Sequence, residues 1–225
     1  MSPLLPLVRY QSALLLRSQR WLAPFLLYAA FLGIGVRAGD RVLDSLGYAA
    51  AGLLPVAAWL VHLCVTHEPE AARACTAAAA GPGRAHLAAL LCATGSAALL
   101  GLAGTAYVVA VSDPVSGNRR IAVAPGSAMA AGLLAAAVCV LTGAAVGALG
   151  SRPVLHARGW SLALTASAAL LALVLTPSPA KYAVTGLVTG ARTGAVPLEV
   201  LPLAAALALA AAAAVGVCAL SSRRR

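Results

Sequence analysis

The sequence predicts an all-α membrane fold: a six-span transmembrane helical bundle with an N-terminal interfacial elbow helix and both termini cytoplasmic. Three observations predict it. Of 225 residues, 61% are hydrophobic and only 10% charged, with a mean hydropathy of +0.91; soluble domains carry roughly 25% charged residues. Several nearly uncharged runs exceed about 18 residues, enough to cross ~30 Å of hydrocarbon as helix. The basic residues, nearly all Arg, fall in short connectors between those runs. An Ala-rich soluble bundle would lack the polar surface to cover so much Ala, Leu and Val.

Residues 1–20 form the elbow and 21–225 the six-span domain. On a helix, Arg9, Arg17 and Arg20 share one sector, while Leu4, Leu7, Val8, Leu14 and Leu15 gather opposite them. Gln11 and Ser18 dilute the apolar face. A basic amphipathic helix ahead of a span lies in the membrane interface. With Trp21 at the start of the first span, Arg9, Arg17 and Arg20 are the expected interfacial anchors.

The expected spans are 21–36, 46–65, 86–111, 127–149, 159–175 and 201–220. With the N-terminus inside, ten basic residues fall inside (Arg9, Arg17, Arg20, Arg73, Arg84, Arg152, Arg158, Arg223, Arg224, Arg225). Six fall outside (Arg37, Arg41, Arg119, Arg120, Lys181, Arg192). Basic residues favour the cytoplasmic side, which sets this orientation. Four acids, Asp40, Asp44, Asp113 and Glu199, lie on the outer side and offset charge there. The first apolar run is long enough to span and follows a stretch longer than a signal peptide's basic region, so a cleaved leader is not expected.

Residues 66–83 break the pattern. Pro69 suits a first helical turn. Glu68 and Glu70 sit where the helix dipole is positive. Glu70 to Ala80 is strong helix former, and Gly81-Pro82-Gly83 stops it. About 12 residues make roughly 18 Å of helix, too short to span. A connector could be four residues long, so a capped helix here reads as a docking element. Glu68, Glu70 and Arg73 are its candidate polar contacts.

Much chemistry is missing. The net charge of +10 is scattered among connectors and outlines no phosphate-binding face, so nucleic acid is not an expected partner. The five cysteines (64, 75, 92, 139, 218) are odd in number, dispersed and without C-x-x-C spacing, against a disulfide framework or zinc site. Lys181, the only lysine, precedes Tyr182, so a phosphate-binding Gly-x-x-x-x-Gly-Lys-Ser/Thr loop is impossible. No cofactor is expected on this chain, and any ATPase must be a separate protein. The spans hold no central acid or lysine, against a proton-coupled carrier. No His-Glu-x-x-His occurs, and Glu68-x-Glu70-x-x-Arg73 lacks the adjacent glutamates of intramembrane prenyl-protein peptidases. The chain is not expected to be an enzyme. Gly143 and Gly147 permit close helix contact, but such pairs arise by chance in so Ala-rich a chain.

The basic elbow at 3–20, the Glu68-Pro69-Glu70 helix start and the Pro/Gly-rich stretch at 177–197 together resemble permeases of ATP-binding-cassette (ABC) exporters of the ABC-2 type. Arg-Ser-Gln-Arg-Trp-Leu at 17–22 resembles small actinobacterial permeases of this kind. The resemblance implies a coupling helix at 66–83 that fits a cleft on a cytoplasmic ABC ATPase. It also implies a second permease copy or homologue, short re-entrant helices between spans five and six, a plasma-membrane location, and export of an amphiphilic or hydrophobic substrate. The alternative of a different class is a non-transporting membrane scaffold or accessory protein, which would need no ATPase.

Overall fold

A computed structural model describes residues 4–116, 121–150, 161–196 and 200–223. Helix dominates throughout. The elements are α1 (Leu4–Ser18), α2 (Leu22–Gly35), α3 (Val42–His67), α4 (Glu70–Ala80), α5 (Pro82–Val111), β1 (Val115–Ser116), β2 (Ile121–Ala122), α6 (Pro125–Leu149), α7 (Ser161–Val174), α8 (Pro179–Thr193) and α9 (Val200–Arg223).

Helix α3 is the hub. Along most of its length Leu, Val and Ala are buried, among them Leu43, Leu53, Leu54 and Val61. It packs on α2, α5, α6, α7 and α8. Its closest partner is α6, and glycine explains why. A side chain at Gly143 would strike the carbonyl of Leu54, and one at Gly147 would come within 2.7 Å of the Ala58 carbonyl. Small residues let two backbones approach closely where lipid gives no hydrophobic drive between helices. The pair Gly143 and Gly147, indistinguishable by sequence from chance, is therefore the α3–α6 crossing.

Among the described residues, four helices are long and apolar enough to cross a membrane: α3, α5, α6 and α9. A fifth crossing results if α7 and α8, bent by 50° at a short break, count as one span. Helix α2 covers the expected first span but has only 14 residues, about 21 Å against ~30 Å of hydrocarbon. Its outward residues are nonetheless apolar: Phe25, Leu26, Leu27 and Ile34 are exposed, as on α5 and α9, an apolar surface suited to lipid.

The connector expected at 176–197 contains helix α8, a 15-residue amphipathic element. Lys181 Nζ donates to the Val174 carbonyl at 2.9 Å, covering one of the acceptors that the end of α7 leaves open. Near Gly150, at the end of α6, lies Thr165 of α7, whereas Val184–Val188 of α8 lie beside Gly47, near the start of α3. The bent pair thus climbs from one end of the bundle to the other.

The connector after α5 contains a small antiparallel hairpin, with Val115 opposite Ala122 and Ser116 opposite Ile121. It is tied to the α2–α3 turn, where Val42 N–H donates to Asp113 O (3.1 Å) and Asp113 N–H to Asp40 O (2.9 Å). This backbone lacing closes one end of the bundle. The opposite end gathers α1, α4 and the last turns of α9, whose Cys218 Sγ donates to Gly83 O at 3.6 Å. Arg119, Arg120, Arg152, Arg158, Trp160, Glu199, Arg224 and Arg225 lie outside the described residues.

Candidate functional site: the elbow and the short helix

Helix α4 begins one residue later than the sequence suggested. Pro69 is its N-cap rather than part of its first turn, and the helix runs 11 residues from Glu70 to Ala80. The prolyl ring fixes φ at −56° with an extended ψ, turning the chain out of α3. At the other end Gly81 has φ +88°, which L side chains rarely adopt. Pro82 then opens α5 directly, so a single residue separates α4 from α5.

The three candidate contacts divide into two roles. Glu68 is turned inward, only 7% exposed. Its Oε2 accepts from Gln11 Nε2 at 3.2 Å, and its Oε1 accepts from Thr76 Oγ1 at 3.2 Å. One carboxylate thereby joins the elbow to α4. Arg73 also works within the chain. Its Nη2 donates to the carbonyls of Val65 (3.1 Å) and Glu68 (3.0 Å), satisfying acceptors at the C-terminal end of α3. Glu70 is exposed at the start of α4, where its charge complements the helix dipole.

The outer face of α4 is bare. None of its residues is buried. Ala71, Ala74, Cys75, Ala78 and Ala79 are exposed beside Glu70. A face of alanines has few side-chain degrees of freedom to lose on contact and permits close approach. The clamp on one side and the bare face on the other make α4 a rigid platform.

Gln11 is the residue the sequence reading missed. It interrupts the apolar face of α1, and by composition alone it only weakens the amphipathic pattern. In the structure it is 4% exposed and faces the bundle. The same face carries Ser12, whose Oγ lies 3.5 Å from Cys92 Sγ of α5. A polar residue in the middle of an apolar stripe was the available signal, and nothing in the sequence pointed to Glu68 as its partner. Tyr10, beside Glu68, has its phenol raised above the ordinary 10, first by partial burial and then by the carboxylate's charge.

The expected anchors lie on the other face. Arg9, Arg17 and Arg20 are exposed. Gln19, with φ 54°, makes the tight corner between α1 and α2. Trp21 caps α2 and packs edge-on to Phe25, with ring centroids 5.6 Å apart. Among the described residues, no three His, Cys, Asp or Glu side chains gather as metal ligands would.

No protein family, curated protein or solved structure matches the chain. What the fold defines is an all-helical protein of membrane character, with a short helix held rigidly at one end of the bundle.

Proposed function

We propose that the chain is the membrane-spanning permease subunit of an ATP-driven exporter whose ATPase is a separate cytoplasmic protein. The observation that carries the reading is the division of labour around α4. Glu68 and Arg73 hold the helix from inside, while Glu70, Cys75 and four alanines are left without a contact to cover them. Such a face, outside the apolar spans and rigid against them, suits a partner that must push. Closure of a docked ATPase dimer would press on α4, and the Glu68–Gln11 link and the one-residue joint at Gly81 would pass that push to α1, α3 and α5.

In this reading α2 and the bent α7–α8 pair complete six spans, and the short α2 is accommodated by local thinning of the bilayer. The end that gathers α1, α4 and the last turns of α9 is the cytoplasmic one, by the excess of arginine there. A second copy or a homologous permease pairs with this one in the plasma membrane, and an amphiphilic or hydrophobic substrate passes between them. The accessory-protein reading predicts instead that α4 has no ATPase partner.

The test is co-expression with the genes that flank its own, followed by purification in detergent and a search for a co-eluting ABC ATPase. Co-elution that Glu70→Arg abolishes, with the permease still in the membrane, supports the proposal. Elution alone, or co-elution indifferent to Glu70, contradicts it.

A further inference from the structure

The spacing of the five cysteines shows no disulfide framework, but the fold brings two of them together. Cys64 stands in the last turn of α3 and Cys92 in α5, and their thiols meet across the interface of the two helices. Both are buried. Ser12 of α1 completes the cluster, its Oγ 3.5 Å from Cys92 Sγ and 2.9 Å from the Val8 carbonyl. A hydroxyl has a single proton to donate. Ser12 gives it to Val8, so towards Cys92 it is the acceptor and the thiol is the donor. The other cysteines lie elsewhere: Cys75 is exposed on α4, Cys139 is buried in α6, and Cys218 of α9 donates to the Gly83 carbonyl.

Three helices therefore meet at one pair of thiols. Cys64 lies one turn before Glu68, and Ser12 follows Gln11, so the pair sits one turn inside the carboxylate that joins α1 to α4. The chain between Cys64 and Cys92 contains all of α4. The cluster is also close to the surface. Ser96, one turn along α5, donates to the Cys92 carbonyl at 2.8 Å and lines a groove that Leu16 and Leu99 carry to the flank of the bundle. A small neutral oxidant has about one helical turn of protein to cross, roughly 5 Å. Two free thiols in contact have a chemistry that a single buried cysteine lacks, because the loss of two electrons joins them.

We propose that Cys64 and Cys92 form a site of reversible oxidation, closed to a disulfide by a hydroperoxide. The Cys92 sulfur attacks the O–O bond and keeps one oxygen as a sulfenic acid, while the other oxygen leaves with the thiol proton as water or an alcohol. The Cys64 sulfur then attacks the Cys92 sulfur, the S–O bond breaks, and hydroxide leaves with the Cys64 proton as water. Two electrons pass from the sulfurs to the peroxide, and a thiol reductant returns them. On the cytoplasmic side, disulfides of this kind are transient and redox-sensing. Closure ties α3 to α5 at the base of α4 and shuts the short helix inside a covalent loop. The site needs no ATPase and stands apart from the exporter reading.

The test uses the unaltered chain in isolated membranes. Hydrogen peroxide is added, remaining thiols are blocked with N-ethylmaleimide in SDS, and the chain is digested with trypsin. Cleavage after arginine places Cys64 in the peptide 42–73, Cys75 in 74–84 and Cys92 in 85–119. The alkylated forms of 42–73 and 85–119 should be lost together, and a disulfide-linked pair of the two should appear as the main cross-link within the chain. Dithiothreitol added before the blocking step should restore both. A chain unfolded in SDS before the peroxide should lose this selectivity and spread its cross-links over the other cysteines, since the fold and not the spacing pairs the two. Cys75, exposed on its own peptide, reports that the peroxide was active. Free thiols at 64 and 92 after Cys75 has been consumed overturn the proposal. So do sulfinic acids at both positions without a link, a main cross-link through Cys139 or Cys218, or the same pairing in the unfolded chain.

Discussion

Gln11 and Glu68 meet across 57 residues of sequence, amide to carboxylate at 3.2 Å, both almost wholly buried. The bond turns the N-terminal helix from a passive anchor into a part fastened to the short helix α4.

Removing the carboxylate should loosen both helices at once. Glu68→Ala leaves the buried Gln11 amide without its partner, at a cost of about 1–3 kcal/mol, while the Thr76 hydroxyl keeps the Arg73 carbonyl at 3.1 Å. The expected result is a lower melting temperature in detergent and faster tryptic cleavage at Arg9 and Arg17, while insertion is unchanged. Gln11→Leu in the Glu68→Ala background should add less than it costs alone, because the two share one interaction. Full additivity would deny the coupling.

Glu70 should behave oppositely. It is exposed and fills the first turn of α4, so Glu70→Arg should lose no more than about 1 kcal/mol from the helix dipole. Stability should hold while ATPase association fails. Two neighbouring glutamates thus separate folding from docking, and a thermal-shift assay run beside a pull-down checks both.

The α3–α6 crossing should tolerate no side chain. Gly143→Ala places a methyl group against the Leu54 carbonyl, and Gly147→Ala presses on Ala58; backbone cannot yield as a side chain can, so each should cost at least about 1–3 kcal/mol. Gly95 in α5 has open space about its Cβ position, and Gly95→Ala should be neutral or stabilising by roughly 0.5–1 kcal/mol. Thermal unfolding of the three variants measures the contrast.

Thiol reactivity should follow burial. Cys64, Cys92 and Cys139 are buried, Cys218 is half-buried and Cys75 is exposed on α4. A maleimide should modify Cys75 first, and Cys75→Ala should remove that fast phase. Equal rates at Cys75 and Cys139 would contradict the packing.

The sequence made the long helices legible because their signal is run length, which survives an almost featureless Ala-Leu composition. It also made α4 legible, since Pro69 and Gly81 mark its ends by conformational restriction rather than by hydropathy. The inward turn of Glu68 was not legible: it precedes the cap, where the helical phase does not apply, and its partner is 57 residues away. Helix α8 was covered only by the family resemblance, because its mixed composition hid it inside a Pro-flanked connector. The hairpin between α5 and α6 depends on backbone pairing with Asp113 and leaves no hydropathy pattern.

The most direct measurement of the central claim uses Cys75, which stands on the bare face of α4 beside Glu70. A benzophenone maleimide placed there and illuminated in membranes co-expressing the proposed ATPase partner should give one adduct joining the two chains, lost in Glu70→Arg. An unaltered chain whose probe finds only lipid or water, with the ATPase present and active, would contradict a docking role for α4 and with it the permease reading.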